Sequence, residues 1–427
     1  MMKIRVILFT VAFSVAGAYP LYGQSNFTAR SVSLAGAFSS YARGVDALGW
    51  NPANLGFWSR DEALGEKGTR SIRLPFSVAF DLGNNTISPN WISEYFGVGF
   101  MDDELKKQMI NSIPDNNWIL LQALRVPFGF AVNNFAISTG LEINGRIASH
   151  PSMFELIFNG LKFDNSLSLD GTGEFEAVIP VTIGYGKEFY SILLNKYFDR
   201  VYLGGAFKYL NGLNRISTEF SNSTLSTSKE SINIQTTTTL TSAVSGTGFA
   251  FDFGFAARSG EKLYLSISAN NLFGKINWTD SDIMSGSMNF NVDELNITKL
   301  DSLFEESNTT DETTGNVNST YPGYLLAGFH YQYRPNISLH STLLQGFSND
   351  MNMSTTPRLS LGSEVNARKW LPIRFGISVG GLEDFRWGAG FGLNFSKFHL
   401  DFGISESGGM LSSAKGISIA LEQTFYF

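Results

Sequence analysis

The chain has no cysteine among its 427 residues. A disulfide framework and thiolate ligation of a metal are therefore excluded, and stability must come from secondary structure and packing. Charge is also sparse: 16% of residues are Asp, Glu, Lys or Arg, and the formal net charge is −7. That balance offers no basic face for a phosphate backbone, so nucleic acid is not an expected partner. Histidine occurs four times. His330, His340 and His399 fall on strand-like stretches and His150 in a loop, with no pair at the helical spacing of a zinc motif. Neither a G-x-S-x-G elbow nor a phosphate-binding glycine loop is present. The expectation is a protein without catalytic residues, metal or cofactor. Long hydrophobic runs are missing too: beyond the N-terminus nothing approaches the roughly twenty apolar residues of a membrane helix. A membrane form of this chain would have to cross as a closed sheet, because only helices and barrels satisfy their backbone groups in lipid.

Glycine (43) and phenylalanine (37) are what the chain has in quantity. Both suit a large barrel, glycine in tight turns and close strand packing, aromatics in the lipid-facing band. The first residues read as a secretory signal over 1–18: Lys3 and Arg5, a short apolar core from Val6 to Val15, then Ala16-Gly17-Ala18, with cleavage there or as late as Gln24.

From Ser71 onward apolar residues recur with period two. Ile72, Leu74, Phe76, Val78, Phe80 and Leu82 form one such set; Phe249, Phe251, Phe253 and Phe255 form the most aromatic one. About fourteen strands are predicted, near 72–82, 124–132, 135–147, 174–186, 201–210, 247–257, 262–270, 323–333, 337–347, 358–367, 370–379, 385–395, 398–405 and 416–427. The apolar phase holds no charge, whereas the other phase holds Arg73, Asp81, Arg125, Glu142, Glu174, Glu176, Lys208, Asp252, Arg358, Glu364, Arg374, Arg386, Asp401 and Glu422. A charge at mid-bilayer costs about 2–4 kcal/mol for Arg or Lys, so the cleared face is the lipid face. Links after even strands are tight and the longest links follow odd ones, which places both termini in the periplasm and the long loops outside. The link at 187–200 is longer than this scheme wants. The last strand ends on Phe425 and Phe427, a signal of the kind read by barrel assembly machinery. The fold expected is all-β, a transmembrane antiparallel barrel over 71–427.

Residues 25–70 do not alternate. They carry Ala29-Arg30-Ser31-Val32-Ser33-Leu34-Ala35-Gly36-Ala37-Phe38, then Asp46-Ala47-Leu48-Gly49-Trp50-Asn51-Pro52-Ala53-Asn54-Leu55. This stretch resembles the start of the FadL-like superfamily of outer-membrane barrels, which includes fatty-acid and hydrocarbon channels and the PorV-type proteins of type IX secretion. Asn270-Asn271-Leu272-Phe273-Gly274 is similar to both groups. The resemblance implies fourteen strands, with the N-terminal segment as a plug in the lumen. Asp46, Trp50, Asn51, Pro52 and Asn54 are its candidate plug or gate residues. Asp46 reads as a helix N-cap and Asn51-Pro52 as a turn.

Two outer loops hold apolar clusters: Trp91, Tyr95, Phe96 and Phe100 before a helix capped by Asp102 or Asp103, and Phe154, Ile157 and Phe158 in the next loop. They form either a landing groove for a hydrophobic ligand or a self-packed cap. Residues 221–247 and 304–319 read as polar, mobile loop tips. The function expected is passive uptake of small, fatty-acid-like hydrophobic molecules across a Gram-negative outer membrane, with outer-membrane lipid as neighbour. The alternative is a PorV-like barrel that carries nothing and partners a secretion or surface-attachment machine.

Overall fold

The computed structural model describes residues 28–57, 70–115, 117–229, 231–292, 308–351, 353–395 and 397–427. The expected signal peptide at 1–18 lies outside the described residues, as do 58–69 of the segment assigned to the plug.

One antiparallel sheet closes on itself through fourteen staves. They are β1 (Arg70–Arg73) continued by β2 (Val78–Asn84), β3 (Trp118–Val132), β4 (Phe135–Ser149), β5 (Asn165–Ser168) continued by β6 (Gly171–Phe189), and β7 (Arg200–Thr227). Next come β8 (Ile232–Ala243) continued by β9 (Gly246–Ser259), β10 (Leu263–Val292), and β11 (Asn308–Thr320) continued by β12 (Tyr324–Arg334). The last six are β13 (Ile337–Gly346), β14 (Arg358–Arg368), β15 (Leu371–Gly380), β16 (Phe385–Phe395), β17 (Phe398–Ser407) and β18 (Gly416–Tyr426). Closure is direct: Ile72 pairs with Phe425 on one side and with Phe130 on the other. The expected strand order and pairing are thus observed. The first stave is broken at 74–77, where Pro75 has no N–H to donate; the Gln423 amide donates instead to Ser77 Oγ (3.0 Å).

Alternation sorts the two faces as physical chemistry requires. Val181, Ile183, Leu203, Phe207, Phe253, Phe375 and Ile377 stand exposed on the outside, a continuous apolar band. Of the charged residues expected inward, all but Arg125 and Glu174 are buried; Arg125 pairs with Glu142 at 3.0 Å, and the part-exposed Glu174 lies 3.9 Å from Arg215. The charges are therefore central, interleaved with apolar clusters such as Leu34, Phe38, Trp50 and Leu326, while the outer face is apolar, the reverse of a water-soluble sandwich.

One expectation is overturned. Residues 221–227, 232–243 and 308–319 are not loop tips, because β7, β8, β10 and β11 run on as a ladder, with Thr237 opposite Ser221 and Ser287; residues 304–307 lie outside the described residues. Hydrophobic alternation marks a strand with one buried face. This sheet extension buries neither face, so its Thr, Ser and Asn residues carry no such pattern.

The lipid-facing assignment predicts that Ile377→Arg, compared with Ile377→Ala, lowers the unfolding free energy in phospholipid vesicles by about 2–4 kcal/mol. Urea titration of the vesicle-embedded barrel measures this; a cost near zero would place the face in water.

Candidate functional site

Residues 28–57 fold inside the barrel, and nearly all of them are buried. Thr28 caps a single helical turn, α1 (Ala29–Ser33), with its hydroxyl accepting from Ser31 N. Two 3-10 turns follow, Gly44–Ala47 and Pro52–Phe57. Such short elements have little stability alone; the wall holds them.

Glycines on the inner wall let the plug backbone lie directly on the strands. Gly362, Gly376 and Gly388 stand side by side on β14, β15 and β16, and Gly186, Gly204 and Gly254 on β6, β7 and β9. A Cβ at Gly376 would fall on the Leu34 backbone, at Gly388 on Val32 O, and at Gly403 on Ala29 O. The second row meets the other end of the plug: Gly204 faces the backbone of Pro52 and Ala53, and Gly254 faces the Asn51 side chain.

Charge fastens the same contact. Arg30 of the plug meets Asp401 (3.2 Å), Asp401 meets Arg374 (2.6 Å), and Arg374 meets Glu364 (2.6 Å). Glu364 accepts from the hydroxyl of Tyr41, back on the plug, at 2.9 Å. All five side chains are buried, so each charge depends on its partners; removing one from such a chain costs about 3–5 kcal/mol.

The candidate plug residues are all at this boundary. Asp46 is not an N-cap, as expected from sequence: it lies inside the Gly44–Ala47 turn, whose cap position is Arg43. Its carboxylate instead pairs with Arg73 at 2.6 Å, and Arg73 also binds Glu422 at 2.5 Å. Asn51 Oδ1 accepts from Ala53 N (2.9 Å), which makes the expected turn, and its amide donates to Phe255 O (2.9 Å) on the wall. The Trp50 carbonyl accepts from Ser268 (2.6 Å) and Asn270 (3.2 Å), and its ring meets Phe38 edge-on. Pro52 starts the second 3-10 turn, and Asn54 ties the plug to itself through Ser39 O (2.8 Å) and Ala42 O (3.0 Å).

A cavity of about 20 Å³ remains between the plug and β3, β4 and β6, lined by Asp46, Trp50, Arg125, Gly140, Glu142 and Pro180 among others. It has room for a water or two, not for an apolar ligand. Beside it the β4–β6 ladder is interrupted between Thr139 and Glu142, opposite Pro180. Towards the loop end of β14, Arg358 is buried against Gly36 of the plug, and its guanidinium has no hydrogen-bond or ion-pair partner among the described residues. The hydroxyls of Ser360 and Ser378, neighbours across β14 and β15, are likewise unpartnered.

His330 and His340 face each other across β12 and β13, Nδ1 to Nδ1 at 3.1 Å, with Tyr41 stacked on the first. Sequence spacing hid this pair, although the tight turn at Pro335-Asn336 sets the register that creates it. Among the described residues no three His, Asp or Glu side chains gather as a metal site.

Above the barrel the two outer loops form one cap. Ser88 and Pro89 start α2 (Pro89–Phe96), a helix that alternation did not reveal; Asp102 caps α3 (Asp103–Asn111) through Leu105 N at 2.8 Å; α4 is Ser152–Asn159. Trp91 and Tyr95 are its buried floor with Met109, and the indole of Trp91 donates to Ser112 (2.8 Å). Phe96 stacks edge-on to Phe158 (5.7 Å), joining the loops, and Phe154 leans on Trp118. Phe100 (82% exposed) and Ile157 (58%) project into solvent.

The sequence matches the model of a family described as "Family of unknown function (DUF5723)" over residues 63–247 and 235–404. The chain belongs to that family. No curated protein matches the chain. Solved structures do match this DUF5723 protein. The P. putida toluene transporter TodX superposes with a TM-score of 0.53 at 10% identity, covering 95% of this chain and 99% of its own. The Ralstonia pickettii toluene transporter TbuX gives 0.53 at 12%, covering 94% and 98%. A Pseudomonas aeruginosa FadL homologue gives 0.51 at 12%, covering 96% and 100%. The fold of the DUF5723 chain is thus that of a FadL-like outer-membrane barrel.

The glycine rows predict that Gly376→Val costs about 1–3 kcal/mol by overpacking and frees the plug for limited proteolysis near Leu34. Gly205→Val, where the nearest neighbour of a Cβ is 3.6 Å away, is the control and leaves both readouts unchanged. Equal behaviour of the two variants would remove the wall glycines from the account.

Proposed function

We propose that this protein is an outer-membrane channel for passive entry of small hydrophobic molecules, with the N-terminal segment as its gate. The observation that carries this reading is the exposed apolar patch of the outer cap, Phe96, Phe100 and Ile157 over the buried Trp91 and Tyr95, set above a barrel whose lumen is filled. Exposed apolar surface of this kind marks a binding region. The likeness in fold to the toluene transporters TodX and TbuX supports the same reading. The barrel wall begins at Arg70 and ends at Phe427 on the rim of the tight turns, and we take that rim as the periplasmic one, as in barrels of this class. A ligand lands on the cap and meets the plug, and no covalent step is involved.

The guanidinium of Arg358, buried at the plug boundary without a hydrogen-bond or ion-pair partner among the described residues, favours a ligand with an acidic head over a plain hydrocarbon. Arg358→Met is expected to weaken binding of a long-chain fatty acid roughly tenfold or more while leaving toluene binding unchanged; a titration in detergent showing equal losses for both would refute the preference.

The gate is tested by locking it. The hydroxyls of Ser40 on the plug and Ser266 on β10 are 2.7 Å apart, and the chain has no cysteine of its own. The pair Ser40→Cys and Ser266→Cys therefore forms a disulfide that fixes the plug. In vesicles, fatty-acid entry is expected to stop on oxidation and return on reduction. Equal entry in both states would mean that the plug does not gate. A second reading, a non-transporting partner of a secretion or attachment machine, is favoured by the closeness of plug and wall; absence of protein-dependent entry in either state would select it.

A further inference from the structure

The link between β6 and β7 is unlike the other links at its rim. From Ser191 to Asp199 it folds into helical turns of its own: Asn195 N donates to Ser191 O (2.8 Å), Phe198 N donates to Leu194 O (3.0 Å), and the Asn195 side chain accepts from Ser191 N (2.7 Å). Its large apolar side chains point away from the barrel. Tyr190 is 76% exposed, Ile192 82%, Leu193 78% and Tyr197 71%. A monomeric protein in water does not keep such a cluster bare.

The neighbouring strand says what covers it. On the outer face of β6, Val181, Ile183, Tyr185 and Phe189 are all exposed, so apolar surface leads from the lipid-facing band to the link with Lys187 alone between Tyr185 and Phe189. Lys187 stands in the same outward phase, and Lys196 lies over the ring of Tyr197 at 6.0 Å. Tyrosine and lysine at the end of an apolar band belong at the headgroup level, where a ring has one dry and one wet end and a lysine stem lies along apolar surface with its ammonium in water. A protein partner would have to share this surface with lipid.

We propose that residues 189–197 form a foot lying in the interface of the bilayer leaflet at the rim of the tight turns, seating β6 with tyrosines and leucine in the headgroup and acyl boundary and lysines towards lipid phosphates. The foot rests on the membrane part of the reading above and on no transport role, and it accounts for a link too long for a plain turn.

The test uses the full chain, which offers no native cysteine to a label. Nitroxides are attached singly at Leu193→Cys, at Ile377→Cys in the lipid-facing band, and at Glu261→Cys in the neighbouring turn at the same rim. The barrel is placed in bilayers of phosphatidylethanolamine and phosphatidylglycerol. Collision with oxygen relative to a water-soluble nickel chelate is then read at each site. The foot predicts a ratio at 193 several-fold above that at 261 and closer to that at 377. A ratio at 193 equal to that at 261 places the link in water and overturns the proposal. Shielding from both reagents, with spin–spin broadening, would mean that a second copy covers the link and overturns it equally. Loss of gating in the disulfide-locked variant would leave this measurement untouched, so the two readings fail separately.

Discussion

Everything in this molecule follows from how closely the N-terminal segment approaches the wall. Leu34, Val32 and Ala29 touch β15, β16 and β17 backbone to backbone because Gly376, Gly388 and Gly403 have no side chain there. Interiors are packed to crystal density, so a methyl group in that contact has nowhere to go. The plug in turn can be short and built of Ala, Ser and Gly, because its conformation is imposed by the barrel and not by its own propensity.

The second constraint is electrostatic. Arg30 and Tyr41 come from the plug, Asp401, Arg374 and Glu364 from three wall strands, and they alternate in one buried chain. A buried pair gains little net stability over an apolar one, but breaking it is costly. Such a chain therefore specifies where the plug sits more than it adds to how firmly the barrel folds. It also allows an alternative: a charged or hydrated ligand group can stand in for a plug group, which an apolar seal would not permit. Arg358, buried at the same boundary without a hydrogen-bond or ion-pair partner among the described residues, is where that substitution has the least to displace.

Much of this was legible in the residues. Period-two alternation, the absence of charge on one phase and the alternation of tight and long links gave the barrel and its strand number, since lipid on one side and a polar lumen on the other leave the clearest pattern a strand can carry. Where both faces meet water the pattern vanishes, and the Thr-rich continuation of β7 and β8 read as loop. The short α2 helix was announced by Ser88 and Pro89 but lost among neighbouring aromatics. The glycines were put down to tight turns and close strand packing; their recurrence in the charged phase of successive strands was the signal that a backbone lies against them. Asp46 looked like a cap because local spacing cannot see Arg73, which reaches it across the lumen. The plug residues themselves fell inside the resembling segment, although what each one touches belongs to tertiary structure alone.

The central claim is that the plug is a unit held by the wall yet able to leave it without unfolding the barrel. Hydrogen exchange read by mass spectrometry on the vesicle-embedded protein tests this most directly, because local opening and global unfolding have separate signatures. The account predicts that amides of residues 28–57 exchange through an opening cheaper than that of β14 to β18, and faster still when a long-chain fatty acid is added. Plug amides that exchange only together with those strands, with or without fatty acid, would contradict it.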